Sequence, residues 1–126
     1  MTYQHQSLSS GRWKTLSFIE QMANIGSEVE RTISWKKKGN NLYSQKAFFR
    51  TLELLDLTIE DAKNKDRLRE LTRLREVLVD YFFGENQFSS SDKLWHNYFY
   101  AFNYAASLNS KYRVPKSSAL ESRDRN

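Results

Sequence analysis

The stretch MANIGSEVER, residues 22–31, lies at the centre of a long amphipathic pattern that predicts a helix. On a helical wheel drawn at about 100° per residue, one face carries the apolar side chains of Ile19, Met22, Val29 and Ile33. Gly26 lies in the middle of this face, where glycine costs a helix about 1 kcal/mol relative to alanine. The pattern therefore predicts that a neighbouring helix approaches closely at Gly26.

The opposite face of the same predicted helix is polar and carries a tryptophan. This polar face is predicted to point outward, and it carries Ser17, Gln21, Asn24, Glu28, Arg31 and Trp35. Glu28 and Arg31 stand three residues apart, a spacing that allows an ion pair on a helix. Because tryptophan and arginine are enriched among residues that dominate binding energy, Asn24, Arg31 and Trp35 form a candidate interface. The alternative is a solvated face with ordinary local pairs, which contribute little to stability.

Cap and stop signals divide the chain into four predicted helices. They cover residues 12–38, 44–63 and 66–83, and the last runs from the SSSD motif at 89–92 to about residue 111. The serines of SSGR, residues 9–12, and Ser44 are candidate N-caps for the first two helices. Gly39 and Gly84 follow the first and third predicted helices as stop signals.

The connections between these helices are short, which favours neighbours that run antiparallel. The predicted fold is therefore all-α, an antiparallel up-down four-helix bundle with short loops. The bundle is predicted over residues 1–112, including a flexible N-terminal arm at about residues 1–10. Residues 113–126 are polar and are predicted to form a disordered tail.

The fourth predicted helix contains LWHNYFYAFNYAA, residues 94–106, which presents two stripes. The stripe assigned to the core comprises Leu94, Tyr98, Phe102 and Ala105. His96, Tyr100 and Tyr104 form a separate stripe at four-residue spacing. Because amphipathic aromatic side chains are common in interfaces, Tyr100 and Tyr104 are candidate subunit-interface residues. The alternative is a broad helix face that the chain's own bundle covers.

The composition narrows the functional classes. A formal net charge of +5 and a pI of about 9.5 are typical of a protein that binds nucleic acid or an acidic protein, and equally of a protein whose basic surface is only solvated. The chain has no cysteine, which excludes disulfides and thiolate chemistry. It has no apolar run near the ~20 residues of a transmembrane helix and no signal-peptide pattern, so we expect a cytoplasmic protein with no membrane partner.

Seven basic side chains are candidates for contacts with nucleic-acid phosphates: Lys36, Lys37, Lys38, Lys46, Arg50, Arg69 and Arg73. The densest basic run, WKKKGNN at residues 35–41, places a tryptophan beside three lysines, so that a base could stack where phosphates are bound. Both the lysines and the arginines also have an alternative interpretation that involves no nucleic acid. The lysines also suit the negative end of the helix dipole, and the arginines stand among acidic residues with which they can pair on a wet surface.

No enzyme class is indicated by the sequence. The two histidines, His5 and His96, lack the partner spacings of helical metal sites and of helical ribonucleases. Glu53, Asp56 and Glu60 can share one helix face near a Mg²⁺ ion, although solvated helix charge is the favoured interpretation. We therefore predict no catalytic residue, no bound metal and no cofactor.

Two segments carry a family resemblance. ANIGSEVER, residues 23–31, and AFFRTLELLDLTIED, residues 47–61, resemble motifs of small bacterial four-helix proteins encoded in 23S rRNA intervening sequences. The matching positions are Asn24, Ile25 and Arg31, followed by Phe48 or Phe49, Arg50 and Leu52. This group includes the accessory variability determinant (Avd) proteins of diversity-generating retroelements. The resemblance implies a basic homo-oligomeric bundle, often a pentamer, with nucleic acid and, in the Avd case, a reverse transcriptase as partners.

The charge, the basic clusters and the resemblance predict a non-enzymatic, oligomeric accessory protein that binds nucleic acid. Its expected partner enzyme is one that acts on nucleic acid, such as a retroelement reverse transcriptase. The alternative is a protein–protein interaction adaptor with no nucleic-acid role, which would bind through Arg31 and Trp35.

Overall fold

The computed structural model describes residues 11–113, with side chains up to Leu108, and every regular element in that range is helical. The range contains α1 (Phe18–Lys37), α2 (Asn41–Glu60), α3 (Leu68–Phe83) and α4 (Asp92–Arg113). Short 3-10 helices precede α1 and α3, at Trp13–Thr15 and Ala62–Arg67. The predicted all-α class with four helices is confirmed. The predicted N-terminal arm with His5, and the predicted tail beyond Arg113, lie outside the described residues.

The prediction that the first helix begins at Arg12 is wrong, because a capping box starts α1 later. Ser17 Oγ accepts a hydrogen bond from the Glu20 backbone N at 3.1 Å, and the Ser17 backbone N donates to Glu20 Oε1 at 3.0 Å. Leu16, just before the cap, is extended with φ −80° and ψ 145°. The end of α1 is confirmed, with Gly39 just beyond it in the left-handed region at φ +79°.

The second helix begins at Asn41 rather than at Ser44, because Asn40 provides its N-cap. Asn40 Oδ1 accepts a hydrogen bond from the Tyr43 backbone N at 3.0 Å. Ser44 is buried within the first turn instead, and its hydroxyl donates to the Thr32 carbonyl oxygen of α1 at 2.9 Å. The earlier start places Tyr43 on the helix rather than in the connection.

The second helix also ends earlier than predicted. Asp61 is extended, with ψ 120°, and its Oδ1 accepts a hydrogen bond from the Lys63 backbone N at 3.1 Å. α2 therefore stops at Glu60, and the intervening 3-10 helix delays the start of α3 to Leu68.

The predicted end of α3 and the predicted cap of α4 are confirmed. α3 ends at Phe83 with Gly84 as its C-cap. The serine-rich segment before α4 supplies the expected cap, since Ser91 Oγ accepts a hydrogen bond from the Leu94 backbone N at 3.1 Å. α4 then continues to Arg113, slightly past its predicted end.

α1 packs against both α2 and α4, and α2 also packs against α3. Contacts that lie further along α2 reach positions nearer the start of α1: Ser44 with Thr32, Arg50 with Glu28, and Asp61 with Gln21. Along this contact α1 and α2 therefore run in opposite directions, while the up-down order of the whole bundle stays a prediction. In the described part of the chain, none of the helices has the length and apolar content needed to cross a membrane.

The close approach predicted at Gly26 is confirmed. A Cβ atom built on Gly26 would lie 2.8 Å from the Cβ atom of Phe99 in α4. Around this contact lies a core drawn from all four helices, which includes Met22, Ile25, Val29, Phe48, Leu54, Leu55, Leu71, Leu78 and Trp95. The missing side chain at Gly26 therefore allows α1 and α4 to share one core.

The buried side of α4 differs from the predicted one. Trp95 and Phe99 are 3% and 0% exposed, whereas Leu94, which was predicted to be in the core, is 45% exposed. The other predicted core positions of this helix, Tyr98, Phe102 and Ala105, are only partly buried. The rotation of α4 differs because Phe99 packs into the space left by Gly26.

Two polar residues of α1 that were predicted to point outward, Gln21 and Glu28, are buried. The Gln21 amide is satisfied by other segments: its Nε2 donates to Asp61 Oδ2 at 2.9 Å and to the Trp13 carbonyl oxygen at 3.1 Å. Its Oε1 accepts a hydrogen bond from Asn64 Nδ2 at 2.9 Å. These bonds offset the cost of removing the amide from water.

Candidate nucleic-acid interface

One surface formed by α1 and α2 combines aromatic rings with cations, and we name it the aromatic–basic cluster. It consists of Trp35, Lys38, Tyr43, Lys46 and Arg50. Residues three, four or seven positions apart lie on one side of a helix. This spacing groups Trp35 with Lys38 at the end of α1, and Tyr43 with Lys46 and Arg50 on α2. The packing of α1 against α2 then brings the two groups together at the surface.

The two rings are at the centre of the cluster. Trp35 and Tyr43 meet edge to face, with their centroids 4.9 Å apart and an interplanar angle of 86°. Lys38 Nζ lies 5.0 Å from the Trp35 ring centroid, and Lys46 Nζ lies 5.6 Å from that of Tyr43. Such cation–π contacts contribute about 0.5–1 kcal/mol at exposed sites. They hold both lysines beside the rings at little cost.

A buried carboxylate supports one edge of the cluster. Glu28 is 7% exposed, and its two oxygens accept from Arg31 Nη1 at 2.9 Å and from Arg50 Nε at 3.3 Å. The predicted Glu28–Arg31 pair is therefore confirmed, and the Arg50 side chain, 26% exposed, is held against the same carboxylate. Arg31 and Arg50 share the one negative charge of Glu28, and Lys38 and Lys46 lie beside the rings, so these five side chains carry a net charge of +3.

The remaining predicted phosphate-binding residues lie elsewhere. Lys36 Nζ lies above the rings of Tyr81 and Phe82 in α3, at 5.4 and 5.7 Å from their centroids. Lys37 and Arg69 are exposed, and Arg73 stacks on Phe88 with 4.6 Å between the guanidinium carbon and the ring centroid. The structure thus brings together three of the seven predicted residues, namely Lys38, Lys46 and Arg50.

The predicted interface residues lie on three separate faces. Trp35 belongs to the aromatic–basic cluster, where it is partly buried rather than exposed as predicted, and Arg31 adjoins the cluster through Glu28. Asn24 is exposed as predicted, in a shallow depression between α1 and α4, and donates to the Glu20 carbonyl oxygen at 2.8 Å. Tyr100 and Tyr104 stack on the outer side of α4, 58% and 56% exposed, with their centroids 6.4 Å apart.

Tyr43 is a member of the site that was not predicted from the sequence. With the second helix predicted to begin at Ser44, Tyr43 fell into the connection and had no assigned face. The signal that could have found it is its spacing of three and seven residues from Lys46 and Arg50.

The acidic face considered for Mg²⁺ is partly occupied by a basic partner. Asp56 Oδ1 accepts a hydrogen bond from Arg75 Nε of α3 at 2.8 Å. Among the described residues, no three histidine, aspartate or glutamate side chains are grouped so that they could hold a metal ion.

The chain matches no family model, no curated protein and no solved structure.

Proposed function

We propose that this chain is a non-enzymatic accessory protein that binds single-stranded nucleic acid through the aromatic–basic cluster. The observation that carries the proposal is the contact of Trp35 with Tyr43, with Lys38 and Lys46 held beside the rings. Proteins that bind single strands commonly combine aromatic side chains and cationic side chains on one surface. The accessory role, with a partner such as a reverse transcriptase, is supported by the family resemblance alone.

Each component of the cluster has a separate task in this proposal. Lys38, Lys46 and Arg50 contact phosphates, which provides the salt-dependent part of the affinity. Trp35 and Tyr43 offer ring surface to bases, and a base can reach a ring only when it is not stacked in a duplex. The expected ligand is therefore single-stranded RNA or DNA rather than a double helix.

The first test is fluorescence anisotropy with a labelled single strand and the corresponding duplex. Three phosphate contacts predict a single-strand affinity that falls about 20-fold between ~50 and ~200 mM salt. Absence of binding at the lower salt, with protein at tens of micromolar, would reject the proposal. Equal affinity for the duplex would reject the stacking role of the rings.

A pair of double variants separates a specific surface from general positive charge. Lys38→Glu with Lys46→Glu reverses two cations of the cluster, and Lys65→Glu with Arg69→Glu reverses two exposed cations elsewhere. Both changes lower the net charge by the same amount. We expect a strong loss of binding in the first variant only. Equal losses in both would show that attraction is diffuse and would remove the cluster from the proposal.

A further inference from the structure

A cleft of about 170 Å³ lies where the end of α1 and the start of α2 meet the end of α3. We name it the Lys36 cleft, and its walls include Lys36, Asn41, Gln45, Phe48, Phe82 and Phe83. Lys36 directly follows Trp35 in the chain, and a helix turns about 100° per residue, so the cleft opens on a different side of α1 from the aromatic–basic cluster.

Three phenylalanine side chains form the apolar walls of the Lys36 cleft. The Phe48 side chain is 1% exposed, and the rings of Phe82 and Phe83 pack on it with centroid distances of 4.9 and 5.1 Å. Phe83 is nevertheless 49% exposed. Because Phe48 is fixed in the core, these rings present a preformed apolar surface, and a flat ring that covers it displaces water favourably.

One cation stands beside these walls without a counter-charge. Lys36 Nζ lies 5.4 Å from the ring centroid of Tyr81 and 5.7 Å from that of Phe82, which holds the ammonium group at the edge of the cleft. In the part of the chain with described side chains, no carboxylate pairs with Lys36. The positive charge of Lys36 is therefore available to an anion.

Two primary amides complete the polar lining. Asn41 and Gln45 stand four residues apart on α2 and are both exposed, so helical spacing points them to the same side. Among residues 11–108, neither amide has a hydrogen-bond partner. Each can donate and accept hydrogen bonds in one plane. By contrast, the Ser44 hydroxyl, which also lines the cleft, is already bonded to the Thr32 carbonyl oxygen.

We propose that the Lys36 cleft binds a pyrimidine nucleoside monophosphate. An apolar cavity of about 150 Å³ accommodates a benzene molecule, so a cleft of about 170 Å³ holds one six-membered ring but not the two fused rings of a purine. The amides match a ring whose edge carries donors and acceptors, and Lys36 matches the phosphate. Ligand sites commonly combine apolar walls with a few polar groups in this way.

This site is separate from the surface proposed to bind single strands. The aromatic–basic cluster contacts a strand through Lys38, Lys46 and Arg50, whereas the nucleotide contacts Lys36 and the two amides. Since only one ring and one phosphate are held in an open cleft, we expect a Kd on the order of 0.1–1 mM. Failure of single-strand binding would leave this proposal standing, and the reverse also holds.

Backbone-amide NMR titration with UMP tests the proposal, because it shows both affinity and location. We expect saturable shifts at cleft residues such as Lys36 and Gln45. Uridine lacks the phosphate and inorganic phosphate lacks the ring, so each should bind roughly tenfold more weakly or worse. AMP should also bind more weakly, because its base is too large. The proposal is overturned if about 5 mM UMP shifts no cleft residue, if the shifts centre on Trp35 and Tyr43 instead, or if any of the three comparison ligands binds as tightly as UMP.

Matched variants identify the side chains responsible. Lys36→Gln and Lys37→Gln remove the same charge from neighbouring exposed positions, and only the first should weaken UMP binding, by roughly tenfold. Phe83→Ala removes a wall and should weaken it about 3- to 10-fold, whereas Phe88→Ala, at an exposed ring outside the cleft, should not. Equal effects within both pairs would show diffuse attraction and would reject the site.

Discussion

Gly26 shows how one side chain determines the distance between two helices. An added Cβ would lie 2.8 Å from Phe99 Cβ and 3.0 Å from the ring carbon Cγ. Phe99 Cβ is bonded to the backbone, so a change of rotamer cannot move it away, and α4 itself would have to shift. The cost of glycine in the helix is thus offset by closer packing of the core.

We predict that Gly26→Ala destabilises the protein. Overpacking costs about 1–3 kcal/mol against a gain of up to about 1 kcal/mol in helix propensity, so we expect a net loss of up to about 2 kcal/mol. Urea unfolding measures it. Ser27→Ala, at the neighbouring exposed position, is the control and should change stability little. A stabilised Gly26→Ala protein would contradict the close approach.

Tyr98 illustrates how burial changes the acidity of a side chain. Burial, with a smaller contribution from the nearby Glu70 carboxylate, raises the pKa of Tyr98 to about 12. The phenol is protonated in the folded protein at a pH where it would ionise in the unfolded chain. Its contribution to stability is therefore complete below pH 10 and is lost as the pH rises through about 12.

This gives a prediction for alkaline unfolding. Tyr98→Phe removes the ionisable group, so the free energy of unfolding should fall less steeply between about pH 10 and 12 than in wild type. Denaturant titrations at several pH values measure both slopes. Tyr100→Phe, at an exposed position, is the control and should leave the wild-type slope unchanged. Identical slopes in wild type and Tyr98→Phe would exclude this contribution.

At the scale of elements, caps decide where the helices begin. Ser17 starts α1 through reciprocal bonds with Glu20, and Asn40 starts α2 through its bond to the Tyr43 backbone N. Helical periodicity alone would allow either helix to begin elsewhere, because periodicity does not show which side chain accepts hydrogen bonds from the free backbone N–H groups of the first turn. The Asn40 cap also determines that Tyr43 lies on α2, where it contacts Trp35.

We predict that Ser17→Ala lowers the free energy of unfolding by about 1 kcal/mol, the usual cost of losing an N-cap. Ser34→Ala makes the same chemical change at an exposed position within α1 and should be neutral or slightly stabilising. Urea unfolding of both variants gives the comparison. An equal effect in the two would mean that the capping box does not stabilise the start of α1.

A second prediction at this scale concerns the first turn of α2. Tyr43→Ala should weaken single-strand binding by about 1–3 kcal/mol, roughly 5- to 150-fold, because a stacking surface is lost. Tyr43→Phe keeps the ring and should bind nearly as wild type does. Anisotropy titrations at one salt concentration compare them. If the phenylalanine variant binds as weakly as the alanine variant, the ring is not a stacking surface.

At the scale of the whole molecule, a buried polar network joins segments that are distant in sequence. The network links the first 3-10 helix, α1 and the α2–α3 connection through Trp13, Gln21, Thr58, Asp61 and Asn64. Asp61 is 5% exposed and also binds Lys63 Nζ. Burial alone would raise the pKa of Asp61, but the hydrogen bonds from Lys63 and Gln21 outweigh it and lower the pKa.

The lowered pKa of Asp61 makes stability sensitive to acid. The carboxylate stabilises the fold above its unfolded pKa, and this stabilisation is lost as the pH falls from about 4 through the lowered value in the folded state. Asp61→Asn should lower the free energy of unfolding by about 1–3 kcal/mol at pH 7. It should also make this free energy depend less steeply on pH below about pH 4. Urea unfolding between about pH 7 and 3 measures both effects. If the free energy of unfolding of this variant fell in acid as steeply as that of wild type, the role of Asp61 would be contradicted.

Part of the candidate site was predictable from the sequence. Trp35 and Lys38 were singled out because a ring beside cations is recognisable in the chain itself, and Lys46 and Arg50 because basic side chains are candidates for phosphate contacts. Which cations share a surface with the ring depends on how α2 packs on α1, and neighbours in sequence can point to different helices. Lys36 shows this, since it lies over α3 rings while Lys38 lies over Trp35.

By itself the sequence determined the helical class, the ends of α1 and α3, and the close contact at Gly26. Periodicity, stop signals and glycines act over a few neighbouring residues, so the chain displays them directly. Only the tertiary structure decided which side of α4 is buried, that Gln21 and Glu28 are internal, and that Tyr43 completes the cluster. These outcomes depend on contacts between helices far apart in sequence, whose mutual rotation is set by the packing of the whole core.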